Sequence, residues 1–178
     1  TLELSEGSHT FEVRAIDLAG NVSDVAAQNV TVDAAAPVVE DLILQNDTGE
    51  SSTDGTTSDS TLSFAWTASD NVGIWCHQYR LDGGEWQDKD ITLVQLAVEE
   101  GEHVFEVRAI DLAGNVSAPE AVQVTVDLTP PSVESLAFAP DTGPLETDGF
   151  TSSNQLSFTW TAADSVGLWK SQWRLDAG

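Results

Sequence analysis

Apolar and polar side chains in this chain alternate with a period of two. Leu62, Phe64 and Trp66 alternate with Ser63, Ala65 and Thr67, and Phe105, Val107 and Ala109 with Val104, Glu106 and Arg108. Val122, Val124 and Val126 alternate with Gln123 and Thr125. Period two sends successive side chains to opposite faces of a strand, whereas a helix needs apolar residues three and four apart. No helical stripe of useful length exists. Turn formers punctuate the runs at Asp82-Gly83-Gly84, at Glu100-Gly101 and from Asp111 to Asn115. The pattern predicts strands over 38–44, 60–67, 74–81, 86–90, 92–98, 103–110 and 121–127. Short strands with turns roughly every 8–12 residues predict an all-β fold, a seven-stranded antiparallel sandwich of immunoglobulin-like type.

The chain also repeats. FEVRAIDLAGNVS occurs at 11–23 and at 105–117, and LSFAWTASDNVGIW at 62–75 returns as LSFTWTAADSVGLW at 156–169. Every offset is 94, and 49 of the 84 overlapping positions are identical. The frame is set by Pro-ending linkers, AAAP at 34–37 and LTPP at 128–131, each preceded by TVD. Residues 34–127 are thus expected to form one complete module. Residues 1–33 are the C-terminal part of a preceding module and 128–178 the N-terminal part of the next. Neither end piece can bury an apolar face alone, so each is expected to complete its fold against another copy or within a longer chain.

Comparing the copies suggests which face is inside. Trp75, His77, Tyr79 and Leu81 correspond to Trp169, Ser171, Trp173 and Leu175, a row expected to face inward. The alternate row Cys76, Gln78, Arg80 corresponds to Lys170, Gln172, Arg174. A position that accepts lysine points outward, so Cys76 is expected to be a solvent-side thiol. Trp66 and Trp160 are expected in the core, with Trp75 and Trp169 at the position of an immunoglobulin core tryptophan. An exposed Trp86 beside Tyr79 could stack on a sugar ring.

Composition changes the picture in one direction. The 178 residues carry 30 acidic and 6 basic side chains, a net charge of -24. Such a chain repels phosphate, which argues against nucleic acid and anionic membrane surfaces as partners. One cysteine cannot form an internal disulfide, and no apolar run approaches the roughly 18 residues of a membrane span. Residues 34–127 hold 18 acidic and 3 basic side chains. That self-repulsion destabilises the compact state, and a bound divalent cation would offset it.

The strand order gathers the carboxylates. The loops Ser69–Gly73 and Asp111–Asn115 fall at the pole entered by the linker, so Asp33, Asp70, Asp111 and Asn115 are expected to converge there. The opposite pole carries the loop 45–59 with Asp47 and Asp54, and the Glu99-Glu100 turn. It faces the next linker, with Asp127, and Asp164 beyond it. Oxygen-only clusters suit Ca²⁺, which takes about 6–8 oxygens, whereas Zn²⁺ would want His or Cys at ligand spacing. Loop aspartates also serve simply as turn formers, the preferred reading for Asp82.

The motifs YRLDGGEW, EGEHVFEVRAIDLAGNVS and the TVDLTPP linker resemble bacterial Ig-like repeat modules, such as those forming the extender regions of giant secreted adhesins of the RTX type. The resemblance implies sandwiches strung head to tail, with neighbouring repeats as partners and Ca²⁺ stiffening the junctions. By the same likeness Asp17 and Asn21 match the loop of Asp111 and Asn115, and Asp33 and Asp127 occupy the linker aspartate. The first linker, AAAP, departs from the family's TxP pattern. The implied location is extracellular, on a bacterial cell surface. No catalytic motif is present: no G-x-S-x-G, H-E-x-x-H, phosphate loop or dinucleotide fingerprint. His9 and His103 are equivalent strand-start residues, and His77 becomes Ser171, so none reads as a catalytic base. The expectation is a non-enzymatic spacer. A glycan- or surface-binding module and an accessory module of a secreted multidomain enzyme are the alternatives.

Overall fold

The computed structural model describes residues 1–145 and 148–176. Among them there is no helix, and the strands form four sheets. The first is the hairpin of β1 (Gly7–Val13) and β2 (Ala26–Val32). The middle segment holds β3 (Val38–Leu44), β4 (Thr56–Thr57), β5 (Thr61–Ser69), β6 (Ile74–Leu81), β7 (Gln87–Lys89), β8 (Leu93–Ala97), β9 (Gly101–Asp111) and β10 (Glu120–Val126). A last pair joins β11 (Ser132–Ala139) to β12 (Ser157–Ala163).

The middle segment is the sandwich. One sheet runs β3-β5-β8 and the other β4-β10-β9-β6-β7. The predicted strands are all present, with ends shifted by a residue or two. One was missed: β4 lies inside the 45–59 loop and pairs with β10 in parallel, Thr56 with Thr125 and Thr57 with Val126. A two-residue strand made of threonines carries no alternation that a sequence pattern could reveal.

Alternation fills the core from both sheets. Val39, Leu62, Phe64, Trp66 and Val94 face Phe105, Val107, Ala109, Val124 and Val126. The rings of Phe64 and Phe105 stack across the sandwich at 4.0 Å between centroids, and Tyr79 stacks on Phe105 at 5.9 Å. Trp66 Nε1–H donates to buried His77 Nδ1 at 3.2 Å, so the one indole N–H in this core has a partner.

Three side-chain expectations fail here, for identifiable reasons. A register shift in the β6–β9 ladder pairs Ile74 with Asp111 but Cys76 with Ile110. This bulge leaves Trp75 unpaired and 65% exposed rather than in the core. Cys76 does lie across β6 from His77, yet it is buried at 7% exposure. Burial, and then Asp88 and Asp90 beside it, push its thiol pKa up. The outer side of this edge is therefore covered and not open to solvent. Trp160 is 38% and Trp169 58% exposed, since only β11 and β12 accompany them and no second sheet faces them.

Candidate metal centre

Three loops that open or close strands meet at one pole of the sandwich. Asp33 comes from the linker before β3, Asp70 from the turn between β5 and β6, and Asp111 from the end of β9. One carboxylate oxygen of each lies within 4.8 Å of the others. Asp111 is 1% exposed, and Asp33 and Asp70 are half-buried.

Each carboxylate spends one oxygen on its own loop. Asp70 Oδ1 accepts the Val72 and Gly73 N–H groups at 2.9 and 2.8 Å. Asp111 Oδ1 accepts those of Ala113, Gly114 and Asn115 at 2.7–2.8 Å, closing a turn that Gly114 permits with φ of 95°. Asp33 Oδ1 accepts Ala35 N–H at 3.2 Å and Asn71 Nδ2–H at 3.3 Å. The second oxygens of Asp33 and Asp70 are buried without any hydrogen-bond partner. Buried polar atoms are nearly always satisfied, so the unpartnered oxygens of Asp33 and Asp70 make this pole a candidate cation site. Burial pushes the Asp111 carboxyl up, but its bonds from Asn115, Gly114 and Ala113 hold it below the usual carboxylate range. The set is therefore anionic and all-oxygen, suited to a hard divalent ion.

Asn115 is at the site in a tying role. Its Nδ2 donates to Asp111 Oδ2 at 2.7 Å and to the Asp33 carbonyl at 3.2 Å, joining the linker to the loop. Asn71, which the sequence did not single out, also joins linker to loop. The other copy has Ser165 at its position, so copy-to-copy identity gave no signal for it.

The remaining predicted residues divide. Asp17 and Asn21 rebuild most of the Asp111–Asn115 turn: Asp17 Oδ1 accepts Ala19 and Asn21 N–H, and Asn21 Nδ2 donates to Asp17 Oδ2 at 2.8 Å. No further carboxylate joins them in a cluster among the described residues. Asp127 and Asp164, the 94-residue counterparts of Asp33 and Asp70, stand within hydrogen-bonding reach of each other. Asp164 Oδ1 accepts Val166 and Gly167 N–H, and its Oδ2 is buried and unpartnered like that of Asp70. The counterpart of Asp111 falls beyond residue 178. Asp47 holds its own loop through Gly55 N–H at 2.9 Å and keeps one unpartnered buried oxygen. Asp54 caps Thr56 N–H and edges a shallow groove that also includes Asp127. Neither joins a three-carboxylate cluster among the described residues.

The suggested sugar platform does not form. Tyr79 stacks into the core, while Trp86 is half-buried on the outer face of the same sheet. There the guanidiniums of Arg80 and Arg108 lie 4.5 and 4.2 Å from its ring centroid. Arg80 also makes a two-bond ion pair with Glu106, both at 2.7 Å.

The fold and this carboxylate cluster define an all-β sandwich module with an acidic pole. Residues 34–128 match the family described as bacterial Ig-like domain, and residues 4–34 match a second family of the same description. The chain belongs to the bacterial Ig-like domain family. It is 36% identical over 137 residues to chitinase A1 of Niallia circulans, a match covering 72% of this chain and 19% of that protein. The chain thus spans about a fifth of the length of that relative. Among solved structures, fibronectin(III)-like modules of Clostridium thermocellum CbhA align with a TM-score of 0.43 at 21% identity, over 69% of this chain and 64% of theirs. Chitinase ChiA74 from Bacillus thuringiensis aligns with a TM-score of 0.44 at 23% identity, over 64% of this chain and 18% of its own.

Proposed function

We propose that this chain is a non-catalytic spacer, a run of Ig-like modules stiffened by Ca²⁺ at the joint between one module and the next. The observation that carries the reading is the meeting of Asp33, Asp70 and Asp111 with two buried oxygens left unpartnered. Asp33 belongs to the linker, whereas Asp70 and Asp111 belong to the sandwich that follows. A cation held by all three would tie the linker to the sandwich and fix the angle at which modules succeed each other. It would also neutralise part of the -24 charge. Asp127 and Asp164 would supply the same ligands at the next joint.

The test is thermal unfolding in millimolar CaCl₂, MgCl₂ and EGTA, for the chain and for Asp111→Asn. Asn keeps an acceptor for the three backbone N–H groups but loses the charge. Ca²⁺ at about a hundredfold excess over Kd is expected to stabilise the chain by ~2.7 kcal/mol, with Mg²⁺ less effective and the variant losing the gain. Equal melting in CaCl₂ and EGTA would sink the metal reading.

Projecting an adhesive domain from a bacterial surface is the role we favour for such a spacer, in an extracellular setting. The likeness to part of chitinase A1 favours a second reading, an accessory region of a secreted polysaccharide-degrading enzyme. Co-sedimentation with insoluble chitin separates a binding role from a spacer. Retention in the pellet would assign the chain to substrate binding, and its absence leaves the spacer.

A further inference from the structure

The position held by Trp75 and Trp169 is unexplained by either the core or the carboxylate centre. The two tryptophans are equivalent by the 94-residue offset; Trp75 lies in β6 and Trp169 in the segment after β12, and they are 65% and 58% exposed. Their neighbours differ between the copies: Ile74 against Leu168, Cys76 against Lys170, His77 against Ser171. The tryptophan stays, as do Val72 and Gly73 before it (Val166 and Gly167) and Gln78 after it (Gln172). A tryptophan carries about 150–250 Å² of largely apolar surface, which its own sandwich leaves uncovered.

The structure shows what lies opposite one of them. A groove of about 350 Å³ follows Asp127 between the middle segment and the last one. Gly49, Glu50 and Thr57 form one wall, and Leu168 and Trp169 the other. The Lys170 ammonium sits 3.8 Å from the Trp169 ring centroid. The Trp169 ring thus faces the 48–58 loop across this groove.

We propose that Trp169 is a junction anchor whose ring packs against the 48–58 loop of the preceding module, and that Trp75 takes the same place against a preceding copy in a longer array. The anchor does not depend on the metal, so its contact persists in EGTA.

Trp75 provides an internal control. It stands at the Asp111 end of β9, whereas Thr57 is joined through Val126 to the Gly101 end. An eleven-residue strand separates the two ends by roughly 35 Å. Amide exchange across 48–58 is measured in EGTA for the chain, Trp169→Ala and Trp75→Ala. Protection is expected to fall in Trp169→Ala and to stay unchanged in Trp75→Ala. Unchanged protection in both, or an equal fall in both, overturns the proposal. Should Trp169→Ala unfold β11 and β12, a second measurement decides. The chain is labelled with 5-fluorotryptophan, the Trp169 resonance is assigned with Trp169→Phe, and Glu50→Ala is introduced. A shift of the Trp169 line with the Trp75 line fixed supports the anchor; an unmoved Trp169 line rejects it.

Discussion

Phe11 and Phe105 open the same thirteen-residue stretch, FEVRAIDLAGNVS, yet one is 55% exposed and the other fully buried. Val13 and Val107 divide in the same way. Local sequence sets the strand and its inward row; burial needs the opposing sheet. Truncating Phe105 to Ala is expected to cost about 3–5 kcal/mol, and Phe11→Ala to stay within about 0.5 kcal/mol. Urea unfolding of both variants measures this. The histidines act with opposite signs. His103 bonds the Asp82 carboxylate at 2.9 Å and the Glu99 carbonyl at 3.0 Å, and the Asp82 bond raises its pKa. Burial lowers that of His77, which accepts from Trp66 only while its Nδ1 is unprotonated. The His103 contribution is full below the ordinary histidine value of about 6.5 and is lost as pH rises through its folded pKa. The His77 contribution is full above that value and is lost as pH falls through its folded pKa. His103→Gln is expected to lower stability below about pH 6.5, where the His103 contribution is full, and to remove the decline as pH rises through its folded pKa, as a pH series of melting curves would read.

At the scale of elements, β4 rests on one glycine. Gly55 has φ of 76°, and a Cβ there would meet the Gln123 carbonyl oxygen at 2.9 Å. Gly55→Ala is expected to strip β4 from β10 and to destabilise the sandwich by about 1–3 kcal/mol, with faster exchange at Thr125 and Asp127 as the signature. The long strands were legible because alternation over seven or more residues is a strong signal, as for β3, β5 and β9. The pole was legible because loops on alternate connections gather at the same end. Three things were hidden. The bulge at Trp75 is one extra residue in a run that otherwise alternates without fault. The burial of Cys76 comes from packing over the outer face of β6, which alternation along β6 does not encode. The two guanidiniums on Trp86 depend on the register of three strands, and no spacing in the chain encodes that.

For the whole molecule, the proposed spacer predicts that Ca²⁺ at the acidic joints changes shape. With Ca²⁺ at the Asp33 centre, small-angle scattering is expected to give a longer, narrower distribution of distances than in EGTA. An identical maximum dimension in both would contradict a stiffened spacer. If the chain serves as the proposed spacer, it also carries load. β4 and β10 lie side by side in parallel, held by Thr125 N–H on the Gly55 carbonyl at 2.7 Å and Asp127 N–H on the Thr57 carbonyl at 2.9 Å. A pull on the two ends of the segment drags β4 toward the upstream end and β10 toward the downstream end. Parallel neighbours drawn apart in this way slide along their length, so the bonds between them strain in shear and yield together. Bonds at the open end of a hairpin would instead peel one after another. In such a spacer the smallest strand would be the mechanical latch, and Asp127, the linker aspartate that follows β10, would sit where the force enters the next joint.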